Sequence, residues 1–481
     1  MSAAADRVVL AWTHRRVAAT SPDALARRLR TWRRVPGFAA SADLAAILVW
    51  SRGGMPERAI DELARVGLER ALPALPIESL QVAWATSVDV GRAATEAAPW
   101  ERLNGEEVVR VAGWALSAGD EATARLLIAQ ADEGAPGARE RREWLDYWLA
   151  PVGAGPRGNA PRLAVLDYRH PWRERGSINV GDWVQSIAFL GNVVGHPDLA
   201  IETTDDLSGL VGEIRARVRV ETAERPRGRI ALAPVQRDAS SLDVLRDPTW
   251  MIAYGWYQWP LSGHRLDFPF RRELRPVFLS FHLNDDRLLD AAGIEYLRAH
   301  APIGCRDVAT TRQLRALGIP AFFSGCVTTT LGGIFPPPAG PRPTAVAEVD
   351  WEPAGDGRQL VQIDPGVTSR TTGGNLGVAF EYLRGLQADF GTVRTSRLHS
   401  YLPARALGLD VEFRPPDPAD PRFTGLIGIS DEEFARIARS LRERIARVLA
   451  RIAEEPDEAT FRQWWREETG EDAELDVPEA V

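Results

Sequence analysis

The sequence predicts an all-helical amino-terminal domain followed by two α/β lobes. Three observations carry this. Residues 1–150 follow helical spacing. Beyond a Gly/Pro-rich linker, short β-rich runs alternate with helical segments, the order that yields parallel sheets through right-handed crossovers. A proline-rich break, Phe335-Pro-Pro-Pro-Ala-Gly-Pro-Arg-Pro343, divides that alternation in two. The expected boundaries are a helical domain at 1–150, a linker at 151–160 and a first lobe at 161–335. A hinge at 336–343, a second lobe with a C-terminal helix at 344–453 and an acidic tail at 454–481 follow.

Within the helical domain, Ser21-Pro22 opens a helix with proline at its first position, where a missing N–H is harmless. Ala45, Leu48 and Val49 mark one apolar face, and Ile60, Leu63 and Val66 the next. Trp50…Gly54…Ala59 recurs as Trp114…Gly119…Ala124 at an offset of about 65, about twice the 34-residue tetratricopeptide period. The echo suits a helical-hairpin array able to hold a protein partner; the alternative is a plain bundle.

In the first lobe Leu163–Leu166 reads as a buried strand, with Val184, Ile187, Ala188 and Leu190 at helical spacing after it. Further strands are expected at Ile230–Ala233, Val277–Leu283, Ile303–Cys305 and Ala321–Phe323, with a helix over Val308–Leu317 stopped by Gly318. The second lobe repeats the alternation. Its strands are Leu360–Ile363, Thr392–Thr395 and Val411–Phe413, and its helices lie near Leu376–Phe390 and before Leu407. The tail reads as a short helix around Phe461, Trp464 and Trp465 with a solvated acidic end.

Composition removes whole chemistries. All 58 basic residues of the 481 are arginine. Without lysine there is no Schiff base, no pyridoxal phosphate anchor and no P-loop lysine. Any bound anion must be held by arginine, histidine, backbone N–H groups or a metal. The net charge is −8, and residues 454–481, with eleven acids and two arginines, account for −9 of it. The rest sums to about +1, which argues against a nucleic-acid surface. Cys305 and Cys326 can make neither a disulfide framework nor a zinc site alone, and no metal cluster is visible. Val8–Trp12 is too short for a signal segment and no apolar run spans a membrane, so a cytoplasmic protein is expected.

Ligands of open α/β sheets lie beyond the carboxyl ends of the strands, and two lobes on a hinge suggest a cleft there. Three such ends are polar. Asn179-Val180-Gly181-Asp182 begins the first helix; Asp182 can cap it or face the cleft. Gly304-Cys305-Arg306-Asp307 places Asp307 as a cap, with Arg306 either gripping an anion or paired with a carboxylate. In Thr395-Ser396-Arg397-Leu398-His399, Ser396 reads as the cap, with Arg397 and His399 in the first turn. Pro403 cannot donate to the carbonyl of residue 399, so that turn should be distorted.

These runs, in this order, resemble the polysaccharide pyruvyltransferases. The resemblance adds Gly255-Trp256-Tyr257 with Phe278-Leu-Ser-Phe-His282, Ser324-Gly325-Cys326, Gly408 and Asp420-Pro-Arg-Phe423, and covers about residues 161–430. It implies two Rossmann-like lobes in a glycosyltransferase-B-like arrangement. It also implies transfer of the pyruvyl group of phosphoenolpyruvate onto two hydroxyls of a sugar or glycan, with phosphate released and no further cofactor. It puts Arg306, Arg397 and His399 at the phosphoenolpyruvate site with Asp182 nearby. The absence of lysine, and Gly373-Gly374-Asn375 before a second-lobe helix, depart from the family pattern.

The residue types suit that chemistry. Arginine forks match phosphate and carboxylate, His399 can supply a proton, and Asp182 can accept one from a hydroxyl. Asn179 and Ser396 complete the expected binding set, with Trp256 for stacking on a sugar alongside Trp183 and Trp259. Two alternatives stand beside it: a nucleotide-sugar-dependent glycosyltransferase, and a non-catalytic helical scaffold with a degenerate α/β pair. Failure of Arg306, Arg397 and His399 to converge would favour the scaffold.

Overall fold

The computed structural model describes residues 2–52, 55–131, 134, 137–149, 160–170, 176–238, 240, 248–257, 268–283, 286–336, 340–352 and 355–475. Gly54 of the internal echo, residues 151–159 of the expected linker, Trp259, hinge residues 337–339 and tail residues 476–481 lie outside them. The chain divides into two compact units, one helical and one α/β.

The helical unit consists of α1 (Ser2–His14), α2 (Pro22–Trp32), α3 (Ala39–Arg52), α4 (Pro56–Val66) and α5 (Leu68–Ala74). It continues with α6 (Pro76–Thr86), α7 (Val88–Glu96), α8 (Gly105–Ser117), α9 (Glu121–Gln130) and α10 (Ala138–Leu149). Ser21 caps α2 ahead of Pro22, as the sequence predicts. Consecutive helices pack as pairs, α3 on α4, α6 on α7 and α8 on α9. Trp50 and Trp114 are buried near the ends of α3 and α8, and Ala59 and Ala124 are buried in α4 and α9. The echo therefore marks corresponding places in two helix pairs.

In the α/β unit one sheet contains β1 (Arg162–Asp167), β2 (Leu199–Glu202), β3 (Gly228–Gln236), β4 (Thr249–Tyr257), β5 (Leu274–Leu283), β6 (Ile303–Cys305) and β7 (Ala321–Phe323). All pairings are parallel, in the order β2-β3-β1-β4-β5-β6-β7. A second parallel sheet holds β8 (Val346–Val349), β9 (Arg358–Leu360), β10 (Thr392–Thr395) and β11 (Asp410–Phe413), in the order β11-β10-β8-β9. Strand order reverses between β1 and β4 in the first and between β8 and β10 in the second. Those reversals open crevices at the strands' carboxyl ends.

The helices are α11 (Val180–Val194), α12 (Asp205–Arg217), α13 (Ala291–Ala299), α14 (Val308–Ala316), α15 (Thr372–Asp389), α16 (Leu398–Ala406), α17 (Asp431–Ala453) and α18 (Glu458–Glu474). All fifteen residues of α11 are buried. A helix covered on every side needs partners all round; α11 has β1, α12, α15, α16 and α17. One apolar core consequently runs through both lobes, from Leu163 and Phe278 to Leu376 and Val393.

Two expectations are corrected. The strand expected at Leu360–Ile363 ends at Leu360. Beyond it the backbone bonds across the lobes: Val180 N–H donates to Gln362 O (2.9 Å) and Asp364 N–H to Ile178 O (2.8 Å). The C-terminal helix α17 is not confined to the second lobe. Its first turn meets α16, where Arg405 pairs with Asp431, and it also packs on β3, α11 and the 327–333 turn. The tail forms the helix expected around Phe461, Trp464 and Trp465, and its end beyond residue 475 lies outside the described residues. In α18, Phe461 packs on Trp250 at 4.3 Å and the buried Trp465 donates its Nε1–H to Pro302 O at 2.8 Å, so both seal the first sheet. No helix among the described residues is long and apolar enough to cross a membrane.

Candidate functional site

Polar side chains gather where the carboxyl ends of both sheets meet. The first wall is the start of α11. Asn179, not Asp182, caps it, its Oδ1 accepting from Gly181 N–H at 2.9 Å. Asp182 turns inward: Oδ2 accepts from Ser177 Oγ (2.5 Å) and Oδ1 from Gln185 Nε2 (3.3 Å). A Cβ on Gly181 would lie 2.5 Å from His399 Cβ, so only glycine permits this approach of the lobes.

His399 comes from the first turn of α16. Its Nδ1 lies 3.7 Å from Asp182 Oδ1 and 3.5 Å from Asn179 Nδ2. Pro403 leaves His399 O without the usual helical donor, and buried Gln362 supplies one from Nε2 at 3.1 Å. Burial pushes the imidazole pKa down to about 4; Asp182 opposes this, while Arg306, Arg422 and Arg237 reinforce it. His399 is therefore neutral at pH 7.

The second wall follows β5 and β6. Arg306 is 1% exposed; Asp307 Oδ2 lies 3.7 Å from its Nε, and neither Nε nor Nη2 has a hydrogen-bond partner. Asp307 caps α14, with Oδ1 accepting from Thr310 N–H at 2.9 Å, as predicted. Its Oδ2 lies 2.6 Å from Nδ1 of the buried His282. Burial, with Arg306, lowers the His282 pKa against the pull of Asp307. His282 Nδ1 makes its hydrogen bond with Thr310 Oγ1 (2.8 Å), and the adjacent carboxylate favours the neutral tautomer with its proton on Nδ1, which leaves a lone pair on Nε2, an atom without a hydrogen-bond partner. An extra residue in β5 aims this histidine. Pairing slips between Ala253/Phe278 and Gly255/Phe281, and Ser280 sits at φ 61°. Such bulges re-aim side chains and store strain at functional sites.

Two guanidiniums complete the surroundings. Arg237, just past β3, is buried against Asp238 (2.6 Å) and over the Tyr168 ring (4.6 Å). Arg422, past β11, is held by Asp420 and lies 5.1 Å from the centre of the Trp256 ring. Trp256 stands 6.4 Å from the His282 ring, with its Nε1 unpartnered.

The structure thus brings Arg306, His399, Asp182, Asn179 and Trp256 into one neighbourhood. It does not bring in Arg397, which is ion-paired to Asp350 beyond β8. Ser396 is also turned away, its Oγ donating to Asp350 O at 2.6 Å, and Arg397 takes the cap position without a side-chain bond. Trp183 is no sugar platform, being fully buried edge-on to Tyr168 at 5.2 Å. Sequence reasoning omitted His282, Arg237 and Arg422 from the site. All three follow the strand-end rule, and His282 and Arg422 lie inside runs already singled out. Cys305 and Cys326 are buried free thiols. Among the described residues no group of three or more His, Cys, Asp or Glu could hold a metal.

No family model and no curated protein matches the chain. Among solved structures it is similar to a mutant of the Thermobaculum terrenum O-GlcNAc transferase, with 16% identity over 97% of this chain and 98% of that one, at a TM-score of 0.25. So loose a superposition carries no weight for chemistry.

Proposed function

We propose that the chain is a transferase whose lobe-junction site binds a phosphate-bearing donor on Arg306, and that the donor is phosphoenolpyruvate. The observation that carries this reading is a buried guanidinium, near two imidazole–carboxylate pairs, whose Nε and Nη2 make no hydrogen bond. Arg237, Arg422 and Arg397 are each held in close contact by a carboxylate, whereas Asp307 stands back at 3.7 Å from Arg306 Nε without a hydrogen bond, so Arg306 is the anchor.

Pyruvyl transfer needs two proton acceptors, one for each hydroxyl. As the first hydroxyl oxygen bonds to C2 of the donor, C3 takes a proton and becomes a methyl group. The C2–O bond to phosphate then breaks, phosphate leaves with the electron pair, and the second hydroxyl oxygen bonds to C2. Of the two hydroxyl protons, one balances that gained by C3 and the other leaves on phosphate. A bound phosphate dianion favours the imidazolium of His399, which then protonates C3 with Asp182 stabilising its charge. His282 Nε2 takes the first hydroxyl proton, its imidazolium steadied by Asp307, and passes it to the departing phosphate; His399, neutral once it has protonated C3, takes the second, so both imidazoles return to their starting state. Asp182 is thereby the partner of His399 rather than a base. The acceptor is a sugar or glycan with two neighbouring hydroxyls.

The second reading is a nucleotide-sugar-dependent glycosyltransferase. It is favoured by two parallel sheets meeting at their carboxyl ends with a final helix crossing back, a plan that does not fix chemistry. That reaction consumes one acceptor proton and leaves one of the two histidines without a task.

Calorimetry decides between them. Phosphoenolpyruvate should bind, and Arg306→Gln should weaken it roughly tenfold or more, the worth of a charge-assisted hydrogen bond. Nucleotide diphosphates binding where phosphoenolpyruvate does not would overturn the first reading in favour of the second.

A further inference from the structure

We propose a second oxyanion site, separate from the lobe junction, in the pocket between α16, α17 and the 327–333 turn; it takes a phosphate-type dianion, free or carried on a small ester. The pocket measures about 380 Å³ and is walled in part by Ala406, Gly408 and Leu409 at the carboxyl end of α16. His399 lies at the other end of that helix, about 10 Å away along its axis. The inference stands whether or not the lobe-junction reading holds.

Charge chooses the ligand. Four guanidiniums line the pocket, from Arg342, Arg405, Arg439 and Arg442, against two carboxylates. Arg342 pairs with Asp410 (3.0 Å) and Arg405 with Asp431 (2.8 Å). Two positive charges therefore remain. Arg439 and Arg442 stand one turn apart on α17, where like charges repel. Arg442 is partly buried, and although its Nη2 donates to Thr330 O (3.0 Å), its Nε is buried without a partner. Burial, and then Arg439, hold the Arg442 guanidinium below its ordinary pKa, as expected where no counter-ion is supplied. A dianion would bridge the two residues and satisfy the free Nε–H, and paired arginine forks suit phosphate geometry.

Size and lining set the rest. The volume lies at the lower end of small-molecule sites and exceeds what a bare phosphate fills. Phe434 and Leu409 add buried apolar wall that a short organic substituent would cover.

The test titrates inorganic phosphate, and separately glucose 6-phosphate, into the full chain by calorimetry, with chloride at matched ionic strength as control. In the Arg306→Gln protein, which lacks the lobe-junction anchor, one equivalent should still bind. Adding Arg439→Gln or Arg442→Gln should weaken that binding roughly tenfold or more. Asp431→Asn, which frees Arg405, should tighten it. Tighter binding of the ester than of phosphate identifies an ester site; equal binding identifies a site for the free ion. The proposal is overturned if Arg306→Gln alone abolishes phosphate binding, or if Arg439→Gln leaves it unchanged. Arg439 is exposed, so its replacement leaves the fold intact.

Discussion

His399 faces one carboxylate and three guanidiniums, and its burial removes the water that would otherwise favour the imidazolium. In the free protein its NMR titration midpoint should lie near 4 and should rise when phosphoenolpyruvate or inorganic phosphate is added. Asp182→Asn should lower the midpoint further, since it removes the group that favours protonation. A midpoint near 6.5 that ignores both anions would mean that the imidazole sits in water. At this scale much was legible. Arg306, His399 and Asp182 were found because strand ends mark crevices. Arg397 was misplaced because its neighbour Asp350 is 47 residues away in sequence and reaches it only through the pairing of β8 with β10.

Gly181 shows how elements, rather than single side chains, build the site. Alanine is favoured over glycine inside a helix by about 1 kcal/mol. Gly181→Ala should nonetheless destabilise, because the new Cβ would sit 2.5 Å from His399 Cβ and overpacking costs about 1–3 kcal/mol. Thermal unfolding should show a lower midpoint, and donor affinity should fall as α16 is pushed off α11. A stabilised variant with unchanged affinity would contradict the close contact. Pro403 announced the irregular turn in α16 from sequence, but not that Gln362 would supply the missing donor. The stretch after Leu360 looked like strand because apolar spacing cannot distinguish a backbone paired within a sheet from one bonded across a gap.

At the level of the whole molecule, burial of histidines makes the fold acid-sensitive. His399 and His300 both have pKa values lowered to about 4, His300 mainly through burial and then Arg462. The unfolded chain takes up these protons near pH 6.5, whereas the native one resists until about pH 4. Stability should thus be level above about pH 7 and decline from pH 6.5 towards 4, by at most roughly 1.4 kcal/mol per pH unit for each group. Urea unfolding midpoints across that range check this; a midpoint constant down to pH 4.5 would refute it. The split into helical and α/β parts was readable in the change of hydrophobic period near residue 160. The return of α17 and α18 to the first sheet was not, since helical spacing reports an apolar face without naming what covers it.

That return bears on biosynthesis. Domains generally form in the order in which the ribosome delivers them, yet β4 and the loop at Pro302 are covered by Phe461 and Trp465. The sheet begun at residue 162 stays bare on that flank for some three hundred residues of translation, so a nascent chain stalled before α18 should be a substrate for chaperones even though both sheets have been synthesised.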